Sequence, residues 1–131
     1  MQREASCSCG QLRLVADGDP VRVSICHCLA CQHRTGSVFG VQARFDEAQV
    51  RIEGRFKEYL RISDDGDERN FRFCPECGAT VFYGYPDAHD VVAIPVGAFA
   101  DPSFPPPVRS IYENRQHPWV QLPADIQHET E

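Results

Sequence analysis

Lysine is nearly missing from this sequence. Lys57 is the one lysine among 13 basic residues, and these face 19 acidic ones for a net charge of -6 and a pI near 5.3. That balance excludes the basic patch of a nucleic-acid binder. It also excludes a polybasic footprint on a membrane surface. No segment approaches the ~20 consecutive apolar residues that a membrane helix needs. The opening stretch, MQREASCSCG, has no apolar core of a secretory signal. The expectation is a cytoplasmic protein, whose thiols stay reduced. Internal repeats and low-complexity runs are also missing.

What remains is the profile of one globular domain. The chain has 131 residues, 42% apolar and 24% charged. A single domain over residues 1–131 is expected, with its core from about 5 to 122 and a frayed polar tail over 123–131. Short strands dominate the pattern. LRLVA (12–16) ends at the turn Asp17-Gly18-Asp19-Pro20, and VRVSIC (21–26) alternates as a half-buried strand should. Further strands are predicted over 37–45, 50–54, 56–63, 70–74, 80–85 and 91–99. An acidic turn at Asp64-Asp65-Gly66-Asp67 and a hairpin loop over 86–90 separate some of them. Phe39, Phe45, Phe71, Phe73 and Phe82 read as core. Helix is expected only as a turn or two after Cys28, stopped at Gly36, and as a turn near Asp101-Pro102-Ser103. The fold class is therefore mainly β, with small antiparallel sheets.

Seven cysteines are the dominant feature, and an odd number does not fit disulfides alone. They fall into three groups: Cys7 and Cys9; Cys26, Cys28 and Cys31; Cys74 and Cys77. CPECG (74–78) is a zinc knuckle, in which Pro75 presets a tight turn and Gly78 lets amide N–H groups face the sulfurs. A structural zinc takes four ligands, and Cys7 and Cys9 can supply the other two. Cys26, Cys28 and Cys31 then remain. Three protein ligands with an open position is the pattern of a catalytic zinc. His27, His33 or His117 can instead close that site, and Cys26 and Cys31 can instead pair with Cys74 and Cys77. Spacing alone does not decide among these.

CSCG (7–10), CHCLACQHRTGS (26–37), CPECG (74–78) and RQHPW (115–119) together resemble the glutathione-dependent formaldehyde-activating enzyme family. The resemblance runs over nearly the whole chain and includes all seven expected cysteines. It implies a β-tent zinc fold shared with centromere protein V. It implies two zinc ions per chain: a structural one on Cys7, Cys9, Cys74 and Cys77, and a second, open one on Cys26, Cys28 and Cys31. It also implies condensation of glutathione with formaldehyde to S-hydroxymethylglutathione, a carbon–sulfur lyase reaction. The implied partners are a small-molecule thiol such as glutathione and an aldehyde, with no nucleic acid and no membrane.

Thiols add to aldehydes as thiolates. Cys28, in the middle of its group, is the candidate labile ligand and catalytic residue. Glutathione is anionic, so Arg34, Gly36, Ser37 and Arg115 are the candidate substrate contacts, the glycine and serine through backbone N–H groups. Trp119 reads as a packing residue. His27 is expected to be exposed or bonded to backbone. Two other classes stay open on the same fold: a non-catalytic zinc module, and a thiol redox or metal sensor.

Overall fold

The computed structural model of the chain describes residues 1–62 and 66–131. Ser63, at the end of the strand expected over 56–63, and Asp64 and Asp65 of the acidic turn lie outside the described residues. In chain order the strands are β1 (Gln2–Ser6), β2 (Arg13–Asp17), β3 (Arg22–Cys26), β4 (Gly40–Asp46), β5 (Val50–Glu53) and β6 (Lys57–Ile62). They continue with β7 (Glu68–Phe73), β8 (Thr80–Tyr85), β9 (Ala88–Pro95), β10 (Arg109–Ile111) and β11 (Gln127–His128). Among the described residues there is one α-helix, α1, which covers Leu29–Thr35. The fold is mainly β, as expected. Two compact units divide it: residues 1–21 with 43–104, and residues 22–42 with 105–131.

In the first unit, β1, β2 and β5 form an antiparallel sheet, with Ala5 opposite Leu14 and Leu14 opposite Ile52. Burial alternates along β2: Leu14 and Ala16 are inside, while Arg13 and Asp17 are exposed. That period-2 pattern fixes the register, because a one-residue slip would turn Leu14 to solvent. A second antiparallel run is ordered β9-β8-β7-β6. Its core joins Phe71, Tyr83, Tyr85 and Ala93, and the Phe71 and Tyr83 rings lie 4.8 Å apart. Phe99 stacks on Phe104 at 4.6 Å and meets Phe45 at 6.2 Å. Each such side chain, fully buried, contributes about 1.5–3 kcal/mol. Phe45, Phe71 and Phe82 are buried as expected, whereas Phe39 and Phe73 are only partly so.

Local differences from the expected elements have simple causes. The β8–β9 connection is a two-residue turn, Pro86-Asp87, so His89 lies in a strand rather than a loop. β9 ends at Pro95, and residues 96–99 wind into a 3-10 turn. At Asp101 there is no helical turn; the carboxylate accepts from the Ser103 amide at 3.0 Å and hydroxyl at 2.7 Å, which closes an Asx turn. β7 and β8 shift register at Arg72/Phe73, immediately before Cys74. A bulge at that point re-aims the strand into the cysteine turn.

In the second unit, β3, β10 and β11 pair in parallel, with Arg109 opposite both Ser24 and Gln127. This departs from the antiparallel expectation. The segments that join these strands are long, so nothing forces them to run as hairpins. The tail expected to fray is instead docked. The Gln127 amide donates to Val108 O at 3.0 Å and the Glu129 amide to Ser110 O at 2.9 Å, and Arg109 pairs with Glu129.

Candidate metal centres

Two tight turns build the first group of thiols. At the first, the Cys7 amide donates to Leu12 O at 2.9 Å and the Gly10 amide to Cys7 O at 3.2 Å. At the second, the Cys74 amide donates to Ala79 O at 3.0 Å and the Gly78 amide to Cys74 O at 2.8 Å. The turns bring Cys7, Cys9, Cys74 and Cys77 together, with all four sulfurs within 4.8 Å of one another. Cys7 Sγ lies 3.6 Å from Cys9 Sγ, which lies 3.7 Å from Cys74 Sγ. A tetrahedron with metal–sulfur bonds of about 2.3 Å has edges of about 3.8 Å, so the spacing fits a zinc-sized cation.

The surroundings of these sulfurs favour thiolates unevenly. The amides of Leu12 and Glu76 point at Cys7 Sγ and Cys74 Sγ, each at 3.3 Å, and Gln11 Nε2 donates to Cys74 Sγ at 3.0 Å. Burial works against the Cys74 thiolate, but the Gln11 amide and the backbone N–H groups of Cys77 and Glu76 outweigh it and bring its pKa down to about 6. A backbone bond from Ala79 lowers Cys77 as well. At Cys9 a backbone bond from Gln11 favours the thiolate, but its three sulfur neighbours and burial push it up to about 11. Four thiolates this close repel one another unless a cation sits among them.

The second group stands at one end of α1. Cys26 is the last residue of β3, Cys28 is the N-cap of α1, and Cys31 lies in its first turn. Cys28 Sγ accepts from the Cys31 amide at 3.3 Å and lies 3.3 Å from Cys26 Sγ. The helix is short because Gly36, with φ of 69°, takes the left-handed conformation and returns its amide to Gln32 O at 2.9 Å. The helix and its glycine stop are therefore as expected. Cys26 and Cys31 are buried, and Cys28 is partly open. The Cys28 and Cys31 side chains and burial push Cys26 up. Cys31 is also raised: a bond from Cys26 and the Arg34 charge favour its thiolate, but Cys28 and burial prevail.

Among the described residues this group stops at three, and no histidine joins it. His27 points elsewhere. Contrary to expectation it is fully buried and bonded to a side chain, Ser110 Oγ, at 2.9 Å, with its ring edge-on to Phe39 at 5.9 Å. Burial keeps its pKa below the usual histidine range. His33 is exposed, and His117 Nε2 bonds Gln32 Oε1 at 3.0 Å. The alternative pairing of Cys26 and Cys31 with Cys74 and Cys77 is not the arrangement found.

Of the candidate substrate contacts, Arg34 is half-buried, and its Nη2 lies 3.0 Å from where a Cβ on Gly40 would sit. The same Cβ would be 3.7 Å from Cys31 Sγ, so Gly40 keeps guanidinium and thiol side by side. Gly36 and Ser37 are exposed at the end of α1, and the Ser37 amide donates to Thr35 Oγ1 at 3.0 Å. The Arg115 side chain is exposed. Trp119 is 69% exposed rather than packed, with the His117 ring 6.3 Å away. No local signal marks Gln32, whose Nε2 donates to His27 O at 2.9 Å and to Arg115 O at 3.2 Å. That glutamine fastens the segment of Arg115 and His117 to α1. Gln11 and Ser110 were equally silent, because their partners are 63 and 83 residues away.

The family model described as glutathione-dependent formaldehyde-activating enzyme matches residues 2–115. The chain belongs to this family. Its match covers both cysteine groups and Arg115, and ends before Trp119 and β11. A crystal structure of a Rhodobacter sphaeroides protein is similar in fold, with a TM-score of 0.57 at 16% identity, over 79% of this chain and 91% of that one. No curated protein matches the sequence. Membership agrees with a glutathione and formaldehyde theme at the level of the family, and no helix among the described residues is long and apolar enough to cross a membrane.

Proposed function

We propose that this chain is a zinc-dependent, carbon–sulfur lyase-like enzyme. It condenses a thiol, glutathione or a similar one, with formaldehyde or a related aldehyde, as an S-(hydroxymethyl)glutathione synthase does. The observation that carries the reading is the three-sulfur group with its partly open member, Cys28, in a chain of this family. Cys26, Cys28 and Cys31 would hold a zinc ion, which would supply a positive centre that keeps the sulfur of an incoming thiol ionised. A second zinc on Cys7, Cys9, Cys74 and Cys77 is structural.

The chain's own residues do the rest. Cys28 is the labile ligand, because Cys26 and Cys31 are buried and it is not. Arg34, beside Cys31, offsets the negative charge of three thiolates and meets a carboxylate of the thiol substrate. Gly36, Ser37 and Arg115 hold its remaining polar groups. In the reaction the substrate sulfur forms a bond to the aldehyde carbon, the C=O π bond breaks, and the thiol proton ends on the oxygen. The chain works as a single domain in the cytoplasm, with small molecules as its partners and neither nucleic acid nor membrane.

Exchange NMR on a mixture of glutathione and formaldehyde tests this. Wild-type protein should speed exchange between free and adduct glutathione, and metal-stripped protein and Cys28→Ser should not. Exchange at the uncatalysed rate with fully loaded wild type would remove the proposed activity.

A further inference from the structure

The tail of the chain, outside the stretch that matches the family, is bonded to the strand whose serine holds the turn of the second sulfur group. His27 sits between two of the three cysteines. Cys28 has extended backbone, with φ of -60° and ψ of 153°, and Cys26 closes a strand. Side chains alternate along such a segment, so His27 projects away from the face that carries the sulfurs. Its amide is held by Ile111 O at 3.1 Å, and its Nε2 meets Ser110 Oγ at 2.9 Å. On the other side the Glu129 amide donates to Ser110 O at 2.9 Å, and the Glu113 carboxylate pairs with His128 Nδ1 at 2.7 Å. His128 Nε2 reaches Pro123 O at 3.1 Å.

Donor and acceptor roles in this series follow from counting protons. A carbonyl and a carboxylate only accept. Hence both ring nitrogens of His128 donate, one to Glu113 and one to Pro123 O. At the other end the buried Ser110 hydroxyl fixes the ring orientation of the residue between two sulfur-bearing neighbours.

We infer that β11 and the residues beside it form a strap that positions the Cys26, Cys28 and Cys31 sulfurs through Ser110 of β10 and His27, with the His128–Glu113 pair fastening the strap. The strap is firmly seated. Besides the bonds of Gln127 and Glu129 to the segment of β10, the Glu113 amide donates to Glu129 O and the Asn114 amide to Thr130 O, both at 3.1 Å. Arg109 holds the Glu129 carboxylate with both Nε and Nη2. His27 and Ser110 are fully buried, so a break between them leaves a buried polar group without its partner and shifts the turn that carries the sulfurs. The inference rests on the reading that this group holds a metal.

The test uses the full chain loaded with cobalt, with a chelator added and the thiolate-to-cobalt absorption followed. Wild type should lose metal in two phases, one of which Cys28→Ser removes. That phase should speed up about tenfold in Ser110→Ala, in the range of losses seen when partners behind metal ligands are removed. It should speed up severalfold in His128→Asn, a surface change, and return to the wild-type rate in Ser110→Thr. The other phase should not change. Equal acceleration of both phases, or an unchanged phase in both Ser110→Ala and His128→Asn, overturns the strap. A wild type with no phase that depends on Cys28 removes the metal reading instead. The metal-free protein then decides the strap: Cys26, Cys28 and Cys31 should alkylate severalfold faster in His128→Asn while Cys9 and Cys77 do not, and equal rates overturn it.

Discussion

Cys74→Ser should cost this protein much of its stability, whereas Cys28→Ser should not. Cys74 is fully buried and receives bonds from Gln11 and Glu76, and its sulfur is one edge of a tetrahedron with Cys9, 65 residues away. Without a cross-link, closing a loop of that length costs about 4 kcal/mol by the (3/2)RT ln n rule. The whole stability of a domain is about 5–15 kcal/mol. With a urea slope of about 1–3 kcal/mol per molar, the midpoint should fall by at least about 1.3 M. Cys28 closes no long loop, since its sulfur partners Cys26 and Cys31 are 2 and 3 residues away. Serine is moreover a good N-cap, so α1 keeps its start. Urea titrations with metal analysis on the same samples compare the two variants: Cys28→Ser should lose one zinc and keep its midpoint. A Cys74→Ser midpoint within about 0.3 M of wild type would refute the reasoning, given that slope. So would unfolding of Cys28→Ser alone, which would invert the roles of the two groups.

Gly54→Ala should destabilise by more than about 2 kcal/mol, because the new Cβ would lie 2.2 Å from Gln11 O at a φ of 107°; a thermal midpoint equal to wild type counts against it. Gln32→Ala should cost about 1–3 kcal/mol in chemical denaturation, since it removes the bridge between α1, Arg115 and His117 and leaves the His27 carbonyl short of a donor. The strap should also respond to pH. Glu113 raises His128 above its ordinary 6.5, so that contribution is complete below 6.5 and is lost as pH climbs through the higher folded value. Glu113, despite partial burial, is held below its ordinary 4.5 by His128 and Ser110, so its contribution is complete above 4.5 and is lost as pH falls through the lower folded value. Hydrogen exchange at the Glu129 and Asn114 amides, corrected for the intrinsic rate, should therefore be slowest between pH 4.5 and 6.5 and faster above, with Glu113→Gln abolishing the trend.

The two cysteine groups were legible because their members sit close together in sequence, in turns encoded by proline and glycine next to cysteine. CPECG and CSCG needed only the rule that a closed site takes four sulfurs. The helix after Cys28 was legible for the same local reason, since Gly36 ends it. Burial of His27 and the docking of the tail were not. Both depend on β10, three residues long, whose neighbours in its sheet come from both ends of the second unit. A three-residue strand carries no periodic signal. A histidine between two cysteines looks solvent-facing until Ser110 arrives from 83 residues away. The parallel pairings were hidden as well, because nothing local marks two strands that meet over such a distance.

The measurement closest to the centre of this account is cadmium NMR on the fully loaded protein, titrated with glutathione. Two cadmium signals should be present, and one should move as glutathione enters the coordination of Cys26, Cys28 and Cys31 while the signal of Cys7, Cys9, Cys74 and Cys77 stays put. Two signals that both ignore glutathione at saturating thiol would contradict an open site that takes its last sulfur from outside.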